Sequence, residues 1–295
     1  MNKNDTYNRT ESDLSDRIEK SSLWWRKIRT TMGNNFGLII LLIINLGPIF
    51  LVVRQAFAPE SESATWPLTL LPSKLSLQNL FNLWKTQSLL EHLLLSLWVA
   101  LGTTIISIFI GFPAGWSLAR WKKIEGFGTR FAIVSRILPP IAIAIPLTAL
   151  LIPLRIYNHP FGPGLILAHL TIGLPFAILL SYSAFLEIPN ELEEAAYIDG
   201  CSTFGAFIRI ALPSVKGTIA TAFILIFLLS WDEFTYALLI QLTHRTMPPL
   251  IYYYTEFGQL ASASVLAVIM LIPAILIIVF LQRILNRGVL RGGIK

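Results

Sequence analysis

Apolar and polar residues in this chain are segregated into long blocks rather than finely interleaved. Six blocks are apolar over roughly 20 residues or more: 36–57, 92–119, 131–153, 163–185, 217–241 and 261–281. A helix rises about 1.5 Å per residue, so each block is long enough to cross a ~30 Å hydrocarbon core with every backbone amide paired internally. A membrane barrel would show alternating segments of about ten residues instead. The pattern predicts an all-α integral membrane protein with six transmembrane helices over 36–281. A polar N-terminal tail, 1–35, and a short C-terminal tail, 282–295, flank that region.

One segment breaks the pattern. Glu191–Pro213, ELEEAAYIDGCSTFGAFIRIALP, is too polar to span, yet its apolar positions are regular. Asn190 is expected as an N-cap, with Glu193 three residues on as its capping-box partner. Glu191, Glu193 and Glu194 would complement the positive end of the helix dipole. Ala195 and Ala196 are small enough to let another surface approach. Gly200 suits the left-handed position that ends a helix. Ser202 can cap a second helix carrying Phe204, Phe207, Ile208 and Ile210, with Pro213 as its stop. The expectation for 187–216 is a helix–turn–helix on one membrane face, its acidic helix exposed. Such a loop is either a solvated amphipathic linker or a dock for a protein, because an acidic helix is poorly matched to anionic lipid. A further short surface helix is expected over 76–84 from spacing near 3.6, with Trp66 and Trp84 as interfacial anchors.

Composition agrees with the membrane assignment: 54% of residues are apolar and 14% charged, against about 25% charged in soluble domains. The net charge of +6 is unevenly placed, with 17 Lys and Arg in one set of loops and tails and five in the other. That asymmetry puts both termini and the acidic segment in the cytoplasm. Arg136, near the start of the third block, is assigned to the inner interface by snorkelling. A positive cytoplasmic face needs no nucleic-acid partner. Cys201 is the single cysteine and the four His show no paired ligand spacing, which argues against a disulfide or a structural metal. Ala56-Phe57-Ala58 has the form of a signal-peptide cleavage site. However, a largely polar tail of 35 residues precedes the first block and Pro59 follows the site, so this block is expected to remain as an anchor.

Polar groups within the blocks are few, and they are the candidates for a solute pathway: Asn45, His169, Asp232 and Glu233. Carboxylates at Asp232 and Glu233 are costly against lipid and should face the bundle interior or an aqueous cavity. They serve either packing and capping or contact with a polar solute. His169 is either a hydrogen-bonded packing residue or a ligand or proton carrier. Pro139, Pro140 and Pro146 crowd the third block and predict a bent helix lining a moving or water-filled path. Pro48, Pro113, Pro175 and Pro273 are expected to interrupt the other helices.

The acidic segment resembles the EAA loop of permease subunits of binding-protein-dependent (type I) ABC importers, whose pattern is E-A-A, three residues, G, nine residues, I-x-L-P. Glu194, Ala195, Ala196, Gly200, Ile210, Leu212 and Pro213 stand at those spacings, and Asp199 before the glycine is typical of the carbohydrate branch. SWDEFTYALLI, 230–240, resembles that branch's S-W-N-E-F segment, which brings Trp231 into the pathway set. LQRILNRGVLRGGIK resembles its closing tail, in the manner of the MalG-type second permease of maltose-like systems. Asp232 stands where Asn is usual and Cys201 where Ala is usual. The resemblance implies a multi-pass permease of the bacterial cytoplasmic (inner) membrane, half of a pathway shared with a second homologous permease. It implies two ATPase subunits docking on the EAA helix and a substrate-binding protein outside, moving a sugar or sugar-like solute. The alternative cargo is a polyol, a sugar phosphate or sulfonate, or a polyamine. The chain contains no G-x-x-x-x-G-K-[ST] phosphate loop. It is therefore expected to be no enzyme and to hold no cofactor, with ATP and Mg bound by the partner subunits.

Overall fold

The computed structural model describes residues 36–63, 70–86 and 89–292. The tail 1–35, Trp66 and residues 293–295 lie outside the described residues. The described secondary structure is helical, without a strand. The chain divides into two compact units at Arg54/Gln55.

Helix α1 is Phe36–Phe57. Its Asn45 amide donates to the Leu41 carbonyl one turn back, 2.8 Å away, within the first unit. In the second unit, α2 (Gln78–Thr86) is the short amphipathic helix expected from its 3.6-residue spacing. Then follow α3 (Leu89–Arg120), α4 (Lys122–Ser135), α5 (Pro140–Leu151) and α6 (Pro163–Leu186). The acidic segment forms α7 (Glu191–Ile198) and the kinked α8 (Thr203–Ser214), and the chain continues through α9 (Lys216–Trp231), α10 (Thr235–Ile240), α11 (Met247–Glu256) and α12 (Leu260–Gly292).

Four helices are long and apolar enough to cross a membrane: α1, α3, α6 and the part of α12 through Phe280. Two bent pairs, α4 with α5 at 95° and α8 with α9 at 75°, raise the number of spans to six when each pair counts as one.

The blocks and the helices differ in instructive ways. The third block is not one bent helix but two helices broken at Arg136–Pro139. Pro139 and Pro140 lack the N–H groups that a continuous helix would need there. The fifth block ends as a helix at Trp231, and α10 restarts at Thr235. By contrast α3, α6 and α12 run unbroken through Pro113, Pro175 and Pro273, and Pro48 lies inside α1. For α3, α6 and α12, which pack against other helices of the second unit, those neighbours help the backbone continue. Helix α12 also continues past 281, so the start of the expected tail marks the end of the apolar run rather than of the helix.

The centre of the fold is the seam between α3 and α6. Ser107, Gly111 and Gly115 recur every fourth residue on α3, and Gly173, Ala177 and Ser181 do the same on α6. A Cβ placed on Gly111 would lie 2.5 Å from the Ala177 Cβ, and one on Gly115 would lie 2.0 Å from the Ser181 Oγ and 2.7 Å from the Ile178 carbonyl oxygen. The Ser181 hydroxyl donates across the seam to the Gly111 carbonyl at 3.2 Å. Lipid is as apolar as the side chains, so close backbone approach and such hydrogen bonds, rather than hydrophobic burial, hold helices together here. The sequence reading passed over this stripe of small residues, which the Gly111–Gly115 spacing of four announces. At one end of the seam Phe112, Trp116, Phe185, Phe207 and Ile226 close a buried aromatic and aliphatic cluster beneath α7 and α8.

Candidate functional site

Helix α7 is tied down by one buried carboxylate. Glu193 is 2% exposed, whereas Glu191 and Glu194 on the same short helix are exposed. Arg120, the last residue of α3, donates to Glu193 Oε1 from Nη2 at 2.7 Å and from Nε at 3.0 Å. The indole Nε1 of Trp116, one turn earlier, donates to Glu193 Oε2 at 3.1 Å. The same guanidinium donates to the carbonyls of Phe185 (3.1 Å, from Nη1) and Ile188 (3.3 Å, from Nη2), which satisfies the free end of α6. A single Arg–Glu pair thus joins α3, α6 and α7.

This corrects the capping-box expectation. Asn190 is in the right-handed helical region and its side chain makes no cap bond, while Glu193 turns inward instead of back to the backbone. The acidic helix is accordingly exposed on only part of its circumference. Its outer face carries Glu191, Leu192, Glu194, Ala195, Tyr197 and Ile198, with Ile198 87% exposed, and Ala196 packs inward with Glu193. Burial pushes the Tyr197 phenol up from its ordinary pKa. The Glu193 charge adds to that shift and Arg120 opposes it.

The end of α7 follows the expected chemistry. Gly200 has φ +84°. Its N–H reaches the Tyr197 carbonyl at 3.0 Å, and the Cys201 N–H reaches the Ala196 carbonyl at 2.9 Å, completing a Schellman motif. Ser202 accepts from the Gly205 N–H at 3.1 Å and caps α8, as its position suggested. Asp199 is exposed beside Gly200. Residues 207–211 widen into a π turn before Pro213; the looser turn relieves the clash between a proline ring and the carbonyl four residues back. Ile210 and Leu212 are partly buried in and just after this turn. A cavity of about 410 Å³ lies between α7 and the end of α3, lined by Trp121, Asn190, Glu194, Tyr197 and Thr203 among others.

The pathway candidates are dispersed. Glu233 stands at the break between α9 and α10 and accepts from the backbone N–H groups of Thr235 (2.9 Å), Tyr236 (2.9 Å) and Ala237 (3.2 Å). It fixes the start of α10. His169 of α6 lies beside it, with Nε2 3.3 Å from Glu233 Oε2 without a hydrogen bond and Nδ1 2.7 Å from the Ser230 hydroxyl. Trp231 is buried elsewhere, stacked on Phe227 with its indole donating to the Met270 carbonyl at 3.2 Å, and so serves packing against α12. Asp232 is exposed. Asn45 belongs to the other unit. Within the second unit the structure therefore brings His169 and Glu233 together with Ser230, while Trp231 and Asp232 point elsewhere. A cavity of about 1000 Å³ is lined by none of His169, Glu233 and Ser230; its wall is mostly apolar, along α3 from Glu91 to Leu101 and the loops at Phe161 and His244.

Residues 107–291, from the small-residue seam to the last turns of α12, match the family described as the binding-protein-dependent transport system inner membrane component. This chain belongs to that family. It is 32% identical over 265 residues to the probable ABC transporter permease protein YurM of Bacillus subtilis, covering 88% of this chain and 86% of that protein. It is 33% identical over 264 residues to the sulfoquinovosyl glycerol transport system permease protein SmoH of Agrobacterium fabrum, covering 87% and 91%. Its fold is similar to that of a chain in the crystal structure of a bacterial ABC transporter involved in the import of the acidic polysaccharide alginate. There the TM-score is 0.67 at 17% identity, over 85% of this chain and 95% of that one. The chain is thus a multi-pass inner-membrane permease, a transport subunit rather than an enzyme. The family match covers all of α7 and α8 and the residues that anchor them. Arg120, Trp116 and Glu193 were not singled out as a unit by sequence reasoning, since nothing in the spacing of Arg120 and Glu193 announces that they meet.

Proposed function

We propose that this permease forms half of the translocation pathway of an importer for a sugar or sugar-like solute, alongside a second homologous permease. In this reading both termini and α7 face the cytoplasm, where two ATPase subunits dock on the exposed face of α7. A substrate-binding protein delivers solute at the opposite surface. ATP and Mg are handled by the ATPase subunits. The observation that carries the reading is the division of labour within α7. Glu193 locks the helix to α3 and α6, while Glu194, Tyr197 and Ile198 face outward, available to a partner. A helix gripped in this way passes a displacement to two spans at once instead of swivelling on its loop. The sugar class is supported by SmoH, whose name gives sulfoquinovosyl glycerol as its cargo, and by the alginate importer.

The test is reconstitution of the permease pair with its ATPase and the binding protein encoded beside it. Loaded binding protein should stimulate ATP hydrolysis several-fold, and a thermal-shift screen of the binding protein should return a sugar. A screen that returns only amino acids or metal ions would remove the sugar class. Absence of stimulation with a correctly assembled complex would remove the importer reading.

A further inference from the structure

The break between α4 and α5 leaves a cation in an unusual place. Arg136 was expected to snorkel to a membrane surface, but its guanidinium lies 5.0 Å from the ring centroid of Phe176. Phe176 is 13 residues from the start of α6 and 10 from its end, or ~20 Å and ~15 Å along the axis. Arg136 therefore sits near mid-depth of a full-length span. Among the described residues no carboxylate lies within ion-pair distance of it.

The surrounding backbone is also unsatisfied. Pro139 and Pro140 offer no N–H to the carbonyls of Ser135 and Arg136, and no other backbone N–H takes their place. Open carbonyls and a guanidinium without an ion pair at mid-depth are tolerated where protein covers them or where they line a water-filled cavity, and Arg136 is exposed on this chain. A cavity of about 150 Å³ opens there, bounded by Ser135, Arg136, Leu138, Thr171, Ile172 and Tyr236. On its wall the Thr171 hydroxyl donates to the Ala168 carbonyl at 2.6 Å and accepts from the Tyr236 hydroxyl at 2.8 Å, so both oxygens keep acceptor capacity only. The two carboxylates nearest in sequence to Tyr236 do not offset the cation: Glu233 is occupied by the first N–H groups of α10 and lies beside His169, and Asp232 makes no ion pair with Arg136.

We propose that this cavity at the break of the third span is a solute subsite in which Arg136, with the Thr171 and Tyr236 hydroxyls, receives a polyhydroxylated solute bearing an anionic group, such as a carboxylate or sulfonate. Arg supplies a planar fork suited to such a group, the two hydroxyl oxygens can accept from sugar hydroxyls, and Ile143 with Ile172 supplies an apolar flank. This inference rests on the importer reading above.

The test uses the complete transporter in nanodiscs with Cys201→Ser, which removes this chain's single native thiol, and Ser135→Cys as a reporter, with label read on this subunit alone after the subunits are separated. The reporter is labelled by an anionic and by a cationic methanethiosulfonate, each rate normalised to that of a free thiol. Labelling should favour the anionic reagent by about tenfold, the differential that one unit charge at ~8 Å exerts between an anion and a cation at an effective dielectric near 60. Arg136→Gln should abolish that preference and Arg136→Lys should keep it. Glucuronate should slow labelling more than glucose does, and only when Arg136 is present. Leu138→Cys provides a second reporter if Ser135→Cys disturbs assembly.

No labelling by either reagent at both positions would show that the break is sealed against lipid or a partner subunit and would overturn the proposal. So would an anion preference that persists in Arg136→Gln, or equal protection by glucose and glucuronate. A complex lacking binding-protein-stimulated ATP hydrolysis strikes the importer reading instead, because the labelling rates do not depend on turnover.

Discussion

Glu193 and Glu194 are chemically identical neighbours with opposite roles, and the difference lies in what each one faces. Glu193 is buried between Arg120 and Trp116, while Glu194 is exposed. Removing one member of a buried pair strands the other, a loss of about 3–5 kcal/mol. Arg120→Ala should therefore lower the thermal stability of the purified permease far more than Glu194→Ala does. Combining Arg120→Met with Glu193→Leu should recover much of that loss, because no charge is then left buried. A double-mutant cycle by thermal unfolding measures this coupling, and strict additivity would show that the pair does not interact. At the α9–α10 break Glu233 satisfies three N–H groups. Glu233→Ala should cost about 2 kcal/mol, and Glu233→Gln, which keeps one carbonyl acceptor, should cost less. If the two substitutions were equal in unfolding temperature, the cap would contribute nothing.

At the scale of elements, the α3–α6 seam tolerates no added atoms. A methyl on Gly115 would meet a hydroxyl and a carbonyl within 2.7 Å. Gly115→Ala should destabilise by about 1–3 kcal/mol, whereas Gly126→Ala on α4, where a methyl meets open space, should be neutral or slightly stabilising. Unfolding in detergent compares the two directly. The six apolar blocks were legible because a bilayer imposes length and polarity on every span, and Gly200 and Ser202 were legible because their turn chemistry is local. The α4–α5 break was only half legible: three prolines announced a bend, but α3, α6 and α12 show that a proline alone does not break a span held by its neighbours. The α9–α10 break lacks Gly and Pro altogether, and its signal was the pair Asp232-Glu233, whose second member caps the new helix. The Arg120–Glu193 clamp was not legible, because the two residues lie 73 positions apart and only the packing of α3 on α6 brings them together.

At the scale of the whole molecule, the proposed docking on α7 requires that force delivered there reach the spans, and the fold offers a tied side and an exposed side of that helix for it. The route is Glu193 with Arg120, which contacts α3 and the end of α6 together. The handle is the outer face, where Ile198 is 87% exposed. These two parts should fail differently. Ile198→Asp and Glu194→Lys alter exposed positions, so they should leave unfolding temperature within the small range usual for surface substitutions. Each should nevertheless weaken retention of the ATPase on the immobilised permease pair and cut solute-stimulated ATP hydrolysis by tenfold or more. Gly200→Val forces a β-branched residue into φ +84°, at a cost of about 1–2 kcal/mol or more. It should tilt or fray the handle, so the ATPase is retained while stimulation falls. The pairing of binding and stimulation separates the cases: loss of both marks a contact, and loss of stimulation alone marks transmission. If Ile198→Asp complexes retain the ATPase and hydrolyse ATP as the parent does, α7 is an amphipathic linker and the drive enters the permease elsewhere.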